Sequence, residues 1–482
     1  MLAFGCSDDS RRTPAWREKL PPDPHVVLYL IDTLRADHLG CYGYPHATSP
    51  FFDALAEESA LFENAFSQGP WTVPSVASLM TSSYTSVHRM INVRQKLPES
   101  ATTIAEFMRD AGYQTVGFTQ SPFSGSLTGL DQGYAELVER PMGEISPEQR
   151  AQGVNSLRPF FEGLANWNVA QPTYVYIHTV EPHWPLNDLD ERFFDRDEQE
   201  RARKLNRLLV RFRELSRVST QRMSDPEAYQ EELGSLKETL AERRDDVVRF
   251  YDKAVQLADA HLESVVVGLE ETGVWRDTVF IVIADHGEEL LDHGSWLHDQ
   301  SLHDELVHVP MLVRIPGVTD GGLRVSAAVQ LIDLGPTLAE LVDRPRPEGW
   351  QGRSILPLIA GLALEGKETA FTERMNPGKY DQALQELRGD RETAVVRSRW
   401  KLIEHPDVGS SSLYDRESDP GESDNLVEEK PDLTRALQDE LDLWREGLAE
   451  REITEPSEVE PSPEVAEQLR RLGYIDRSPR GR

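Results

Sequence analysis

The chain alternates continuous apolar runs with stretches of helical periodicity. Val26-Val27-Leu28-Tyr29-Leu30-Ile31 is apolar at every position and ends in Asp32. Six apolar residues without alternation suit a strand buried on both faces, as in a parallel sheet. Thr278 to Ala284 is a second such run, and it too ends in an aspartate, Asp285. Val309 to Ile315, Thr115 to Thr119 and Tyr174-Val175-Tyr176-Ile177 read as further strands, the last leading into His178. Helices fall between them. Ser49-Pro50 has the form of an N-cap and first helical residue, opening a helix through Leu55 towards Ala60. Ser100 to Ala111 forms another, closed by Gly112. Val247, Tyr251, Val255, Ala258, Leu262, Val265 and Leu269 recur at helical spacing until Gly273. Strands alternating with helices predict an α/β fold, a large mixed, mostly parallel sheet flanked by helices. In that architecture ligands sit beyond the carboxyl ends of the strands, where Asp32 and Asp285 both fall.

Two regions break the pattern. Residues 188–245 are dense in Arg, Glu and Asp with scattered leucines, and read as an inserted helical excursion with solvated faces. After Gly349, the pieces Glu392 to Arg397, Trp400 to Ile403 and Ser412 to Tyr414 are short, strand-like and separated by turn residues. They predict a small C-terminal antiparallel sheet subdomain, followed by a helix from Leu433 to Trp444. The chain therefore divides into a lead and tether (1–24), a main domain (25–362), an α+β subdomain (363–450) and a charged, loose tail (451–482).

Composition narrows the partners. Fifty-one basic against 83 acidic side chains leave a net charge of −32, which repels nucleic acid and anionic membrane surfaces. An anionic substrate would need a local positive charge, such as a bound metal, to overcome that field. Only Cys6 and Cys41 occur, so no disulfide framework holds the fold. The run Ala3-Phe4-Gly5-Cys6 before a polar stretch resembles the tail of a bacterial lipoprotein signal, in which the cysteine receives the lipid. It predicts an extracytoplasmic protein, periplasmic or at the cell surface, that meets a membrane only through a lipid on Cys6. No run of about 18 apolar residues predicts a transmembrane helix.

A divalent cation facing an ester oxyanion needs hard oxygen and imidazole ligands held at strand ends. Asp32 and the adjacent pair Asp285-His286 offer such a set; a single aspartate after a strand would otherwise be read as a helix N-cap. Thr72 precedes Val73-Pro74-Ser75, and a proline at a first helical position would put Thr72 near a helix N-terminus. On spacing alone it is a capping threonine.

Three segments together resemble the sulfatase family of the alkaline phosphatase superfamily. They are Ile31-Asp32-Thr33-Leu34-Arg35-Ala36-Asp37-His38, Trp71-Thr72-Val73-Pro74-Ser75-Val76, and Ala284-Asp285-His286-Gly287-Glu288-Glu289 with His293-Gly294 and Val309-Pro310 beyond it. The resemblance implies a metal-dependent hydrolase of sulfuric or phosphoric esters. One divalent ion (Ca, Mn, Zn or Mg) would be held by Asp32, Asp285 and His286, with Thr72 at the nucleophile position beside it. His183, in Glu181-Pro182-His183-Trp184-Pro185, and His298 match family positions that serve the leaving group or the anion; imidazole suits both tasks. His303 and His308 are assigned to packing. The substrate would be a small-molecule, glycan or lipid ester.

The same motif departs from true sulfatases. They carry a cysteine or serine that becomes formylglycine, with arginine four residues on; here the positions hold Thr72 and Val76. Threonine cannot follow that route, and its adduct cannot collapse to an aldehyde, so water must attack sulfur or phosphorus and phosphate-type esters are favoured. Phe118-Thr119-Gln120-Ser121 stands where sulfatases carry a segment that grips sulfate, and Thr33 where many have a second aspartate. Two other activities stay open: a phosphoethanolamine- or glycerophosphate-type transferase of the same superfamily, and a non-catalytic binding protein on this fold.

Overall fold

The two apolar runs that end in aspartate lie side by side in the middle of one sheet. A computed structural model describes residues 17–20, 22–139, 157, 160, 163, 168, 170–186, 192–216, 226–363, 368–375, 391–451 and 455–471. In chain order the strands of this sheet are β1 (His25–Ile31), β2 (Ala60–Phe66), β3 (Gln114–Thr119), β4 (Glu136–Glu139), β5 (Thr173–Thr179), β6 (Thr278–Ala284), β7 (His308–Val309), β8 (Met311–Arg314) and β9 (Leu323–Gln330). Across the sheet they run β7, β2, β8, β6, β1, β5, β3, β4, with β9 also on β2. β1 pairs in parallel with both β5 and β6, while β8 is antiparallel to β6 and β2. The sheet is therefore mixed and mostly parallel.

Register is what builds a site at its carboxyl edge. Ile31 faces Ala284 of β6 and Thr179 of β5, so Asp32, Asp285 and His178 arrive at one level. Every residue of β1 and β6 is buried, which is why both runs are apolar throughout.

Among the helices used below, α1 spans Pro50–Ala56, α2 Thr72–Thr81, α3 Ile104–Asp110, α4 Arg196–Ser216, α5 Pro226–Ala241, α6 Arg244–Glu271 and α7 Pro431–Ala449. Several expectations shift. The helix expected to run towards Ala60 stops at Ala56, because Ala60 begins β2. That strand carries Glu63-Asn64 in its middle, so it shows neither alternation nor a continuous apolar run. The helix expected from Ser100 begins at Ile104: Thr103 caps it, accepting from the Glu106 amide while Glu106 reaches back to the Thr103 amide. Val309 to Ile315 is split at Pro310, which has no N–H to give the ladder.

Ser49 does not cap α1 with its side chain. The first-turn amides of Phe51 and Phe52 donate instead to Asp259 of α6, at 3.0 and 2.7 Å. Asp259→Ala strands both donors in a buried place, so a loss of about 1–3 kcal/mol is expected. Urea unfolding of the two proteins measures it; an unchanged midpoint would show that water replaces the carboxylate.

The charged insertion forms α4 and α5, and its faces are not all solvated. Leu205, Leu209, Phe212 and Leu215 of α4 and Leu233, Leu236 and Leu240 of α5 join the main core. The C-terminal subdomain holds β10 (Thr369–Met375), β11 (Arg391–Arg397), β12 (Trp400–His405) and β13 (Ser410–Asp415) as an antiparallel sheet in chain order. Helix α7 covers it, packing Leu437 and Leu441 on Val395, Leu402 and Leu413. The tail is not wholly loose. Ser457–Glu458 pairs with Gln95–Lys96, and a helix over Pro463–Arg471 buries Leu469 in the main core. Among the described residues no helix is long and apolar enough to cross a membrane. Cys6 lies outside the described residues.

Candidate active site

The turn after β1 is held in an uncommon conformation. Thr33 has φ of 57°, a left-handed geometry that costs a β-branched residue about 1–3 kcal/mol. Tyr251 of α6 holds it there: its hydroxyl donates to the Thr33 carbonyl at 2.6 Å and accepts from the Arg35 amide at 3.0 Å. The Thr33 amide donates to Asp285 Oδ1 at 3.2 Å, so the turn ties the two strand ends together. After β6 the chain passes close to a neighbouring loop. A Cβ on Gly287 would lie 2.0 Å from the Glu305 carbonyl oxygen, which explains a glycine in this motif.

His286 shows its tautomer. Its Nδ1 lies 2.8 Å from the Gly287 carbonyl, and a carbonyl only accepts, so Nδ1 carries the proton. Nε2 then holds a lone pair, and it points into a nest of oxygens. It lies 3.5 Å from Asp32 Oδ1 and 3.5 Å from Asp285 Oδ2, and the three ligand-capable atoms fall within 4.8 Å of one another. Asp32 Oδ1 and Asp285 Oδ2 are buried and find no hydrogen-bond donor. Burial pushes both carboxyls well above the usual range, the Asp32 charge adds to the rise at Asp285, and burial holds His286 down to about 3. Two buried carboxylate oxygens without a donor, converging with an imidazole lone pair, fit a divalent cation.

Thr72 is the first residue of α2, with Trp71 at the N-cap position and Pro74 third in the helix rather than first. The capping expectation fails, because no side-chain cap bond forms at this end. Since His286 Nε2 can only accept, the Thr72 hydroxyl donates to it, at 3.2 Å. The Ser75 hydroxyl donates to the Asp285 carbonyl at 2.6 Å and so pins α2 against the end of β6. Val76 is fully buried in the core, leaving no charge on this helix near Thr72.

His183 and His298 reach the same place. The His298 ring centroid lies 4.7 Å from that of His286 and 5.0 Å from that of His183. His298 Nδ1 lies 2.8 Å from Glu288 Oε1, and its Nε2 accepts from Arg213 Nη2 at 3.2 Å. The six residues expected to carry the chemistry are therefore brought together, and Cys6 lies outside the described residues. His303 and His308 sit elsewhere, His303 against Glu422 and His308 against the Glu63 carbonyl.

Three neighbours escaped the reading of the sequence. Glu288 orients His298 and sits inside the third motif, where adjacency could have suggested it. His178 is buried with Nδ1 at 2.8 Å from Ser124 Oγ and Nε2 at 3.7 Å from Asp32 Oδ2; its place at a strand end was the available signal. Thr119 Oγ1, 2.6 Å from Ser124 Oγ, shows that the segment after β3 braces His178. Arg213 stands among many arginines of the insertion, and nothing in its spacing marks it.

The sequence model of the family described as Sulfatase matches residues 24–344, and that of N-sulphoglucosamine sulphohydrolase, C-terminal, matches residues 292–446. Arylsulfatase K of Bos taurus is 24% identical over 462 residues, covering 90% of this chain and 84% of its own length. An ulvan-active sulfatase of Formosa agariphila is 24% identical over 88% of this chain and 80% of its own. The phosphonate monoester hydrolase of Agrobacterium radiobacter shares the fold, with a TM-score of 0.68 at 21% identity over 91% of this chain and 100% of the other.

Proposed function

Because the chain belongs to the sulfatase family, and is an ester hydrolase as its members are, we propose that it cleaves phosphoric or sulfuric esters through an unmodified Thr72, with phosphate-type esters favoured. The observation that carries this reading is the direction of the Thr72 hydroxyl. It stands at the start of a helix yet bonds to His286 Nε2 in the carboxylate cluster.

Asp32, Asp285 and His286 are the residues that would hold one divalent cation. When bound, such an ion supplies Lewis-acid charge and can lower the pKa of an adjacent hydroxyl by many units, about 15.7 to 7 for zinc-bound water. The helix N-terminus adds its unpaired amides and positive dipole end next to Thr72 Oγ1. Deprotonated Thr72 Oγ1 forms the bond to phosphorus or sulfur, and the ester oxygen leaves with its electron pair. His183 gives the leaving oxygen a proton. Burial, and next the Arg213 charge, hold His183 well below the usual imidazole range. An anionic ester arriving beside it supplies the negative charge that favours the protonated ring. Neutral again, His183 takes a proton from water, which attacks the phosphorus or sulfur and returns Thr72 Oγ1 with release of the inorganic anion. Glu288 holds His298 by its Nδ1–H, so that ring positions its neighbours. Export and a lipid on Cys6 belong to this reading through the Ala3-Phe4-Gly5-Cys6 run alone.

A parallel assay of the metal-loaded protein on an aryl phosphate, a diaryl phosphate, an aryl phosphonate and an aryl sulfate tests the reading. At least one phosphorus ester is expected to be turned over faster than the sulfate. A strong preference for sulfate would overturn the reading of the threonine, and no turnover of any of the four would favour a binding protein. An added alcohol that diverts product from free phosphate would favour the transferase.

A further inference from the structure

The Asp32 carboxylate stands between two imidazoles, one at each oxygen. His286 Nε2 lies 3.5 Å from Oδ1, and His178 Nε2 lies 3.7 Å from Oδ2. The rings come from the two neighbours of β1: His286 follows β6, and His178 lies near the end of β5, beside Leu30. The main chain holds His178 from both sides. The Asp32 amide donates to the Thr179 carbonyl, and the Gln120 amide to the His178 carbonyl, each at 2.9 Å. The Gln120 side chain adds a clamp, accepting from the Val180 amide at 3.1 Å.

A histidine in a buried strand is ordinarily a packed residue with its polar atoms satisfied, and one edge of this ring fits that description. Ser124 Oγ and the Tyr176 hydroxyl converge on Nδ1, at 2.8 and 3.1 Å. The other edge does not. Nε2 is buried, makes no hydrogen bond and is aimed at the Asp32 carboxylate. The two imidazoles also differ in what they present. At His286 the Gly287 carbonyl fixes the proton on Nδ1, so a lone pair faces Oδ1 and a cation between them is favoured. At His178 the groups beside Nδ1 are hydroxyls, which can donate, and the group before Nε2 is a carboxylate, which only accepts when ionised. A lone pair on Nε2 would face negative charge, whereas a proton there is attracted by it.

We propose that His178 is a positioning residue of the metal centre: its Nε2 carries a proton directed at Asp32 Oδ2 and so keeps Oδ1 turned towards His286 and Asp285. The inference rests on the reading above, in which Asp32, Asp285 and His286 hold a divalent cation. At 3.7 Å the contact is longer than a hydrogen bond and acts as a charge–dipole attraction. A protonated Nε2 is no ligand, so His178 supports the three-residue set instead of enlarging it. Outer groups of this kind orient ligating carboxylates, and their loss costs about 10–100-fold in metal affinity. The segment Phe118-Thr119-Gln120-Ser121 then serves the metal through His178: Gln120 clamps its strand, and Thr119 Oγ1, 2.6 Å from Ser124 Oγ, steadies a hydroxyl that meets Nδ1.

The test uses the full chain as the parent, His178→Leu and His178→Gln. Dissociation constants are measured for Mn²⁺, by electron paramagnetic resonance of the free ion, and for Zn²⁺, by competition with a chelating dye. His178→Leu, similar in size and without a donor, is expected to weaken both ions about 10–100-fold. Its metal-free melting temperature should not fall, as it would for a ring needed only to fill space. His178→Gln, whose amide can put an N–H near the place of Nε2, should recover most of the affinity. In the nitrogen spectrum of the histidine-labelled parent, the ring missing from His178→Gln should show a protonated Nε2 with and without metal. Unchanged constants in His178→Leu, or equal losses in both variants, would overturn the proposal and leave His178 a packing residue. A metal-bound Nε2 would overturn it by making His178 a fourth ligand. If His178→Leu does not fold, the spectrum decides: Nε2 without a proton overturns the proposal, and a proton there with His178→Gln within tenfold of the parent supports it. If the parent binds neither ion, the metal reading falls, and the proton position on His178 alone then decides for or against its contact with Asp32.

Discussion

Thr72→Ala is expected to lower turnover of the best ester substrate by about 10⁴-fold or more while the protein stays folded, as for other covalent nucleophiles. The side chain lost is small, and its hydroxyl caps nothing. Removing a buried methyl and a hydroxyl costs about 1–2 kcal/mol, too little to unfold a domain of this size. The hydroxyl's one hydrogen bond in the site is to His286 Nε2, so its removal also leaves the two carboxylates and the imidazole in place to bind metal. The measurement therefore has three parts: rate, metal content and a thermal melt. A dead variant with normal metal and melting supports Thr72 as the nucleophile. Mass spectrometry of the Thr72 peptide should find threonine, and a phosphoryl adduct after rapid acid quench with substrate. A fully active Thr72→Ala, or a modified Thr72, would remove the central premise.

Asp285→Ala should abolish tight metal binding, from about one ion per chain to a small fraction of one after mild dialysis. Asp285 offers a ligand-capable atom, Oδ2, and through Oδ1 accepts the amides of Thr33 and His286, so its loss also frees the turns that aim Asp32 and His286. Chelation of the parent protein gives the matching result without mutation. Bound metal at 100 times its dissociation constant stabilises by about 2.7 kcal/mol, so stripping it should lower the melting temperature. The drop should be larger at pH 8 than at pH 5, and the sign follows from the carboxyls. Burial raises Asp32 and Asp285 above their unfolded values, so without metal they contribute stability at low pH that is lost as pH rises through the folded values. Metal binding needs both carboxylates ionised and the imidazole neutral, which strengthens it over the same range. Calorimetry with and without chelator at the two pH values checks this. Two tightly held ions per chain, full occupancy in Asp285→Ala, or a larger drop at pH 5 would each contradict the three-residue site.

The parts of the fold that were legible are those whose signal is local. β1 and β6 could be read because burial on both faces demands an apolar residue at every position. Helix α6 could be read from its period, and Gly273 at φ of 80° ends it as expected. β2 could not, since Glu63 and Asn64 are half-buried on a strand whose flanks are core. The start of α3 was misplaced because Ser100 and Thr103 both have capping chemistry, and only the reciprocal bonds with Glu106 choose between them. The same division runs through the site. Asp285-His286 is a sequence neighbour pair at a strand end, whereas Arg213 is one arginine among many until α4 is packed.

What the sequence by itself determined is the set of groups: two aspartates at strand ends, a histidine beside one of them, and a threonine just ahead of Val73-Pro74-Ser75. Their chemistry follows from residue type, and their level follows from where each apolar run stops. Tertiary structure decided how those groups act. The register of β1 against β5 and β6 puts Asp32, Asp285 and His178 at one height. The Gly287 carbonyl sets the His286 tautomer, and the Thr72 hydroxyl turns to that ring instead of capping its helix. Asp259 caps a helix more than two hundred residues away, and an arginine from a charged excursion ends against His298. Periodicity reports only which face of an element is buried. It carries no record of which distant residue meets that face, because a contact across the chain depends on packing and leaves no spacing of its own.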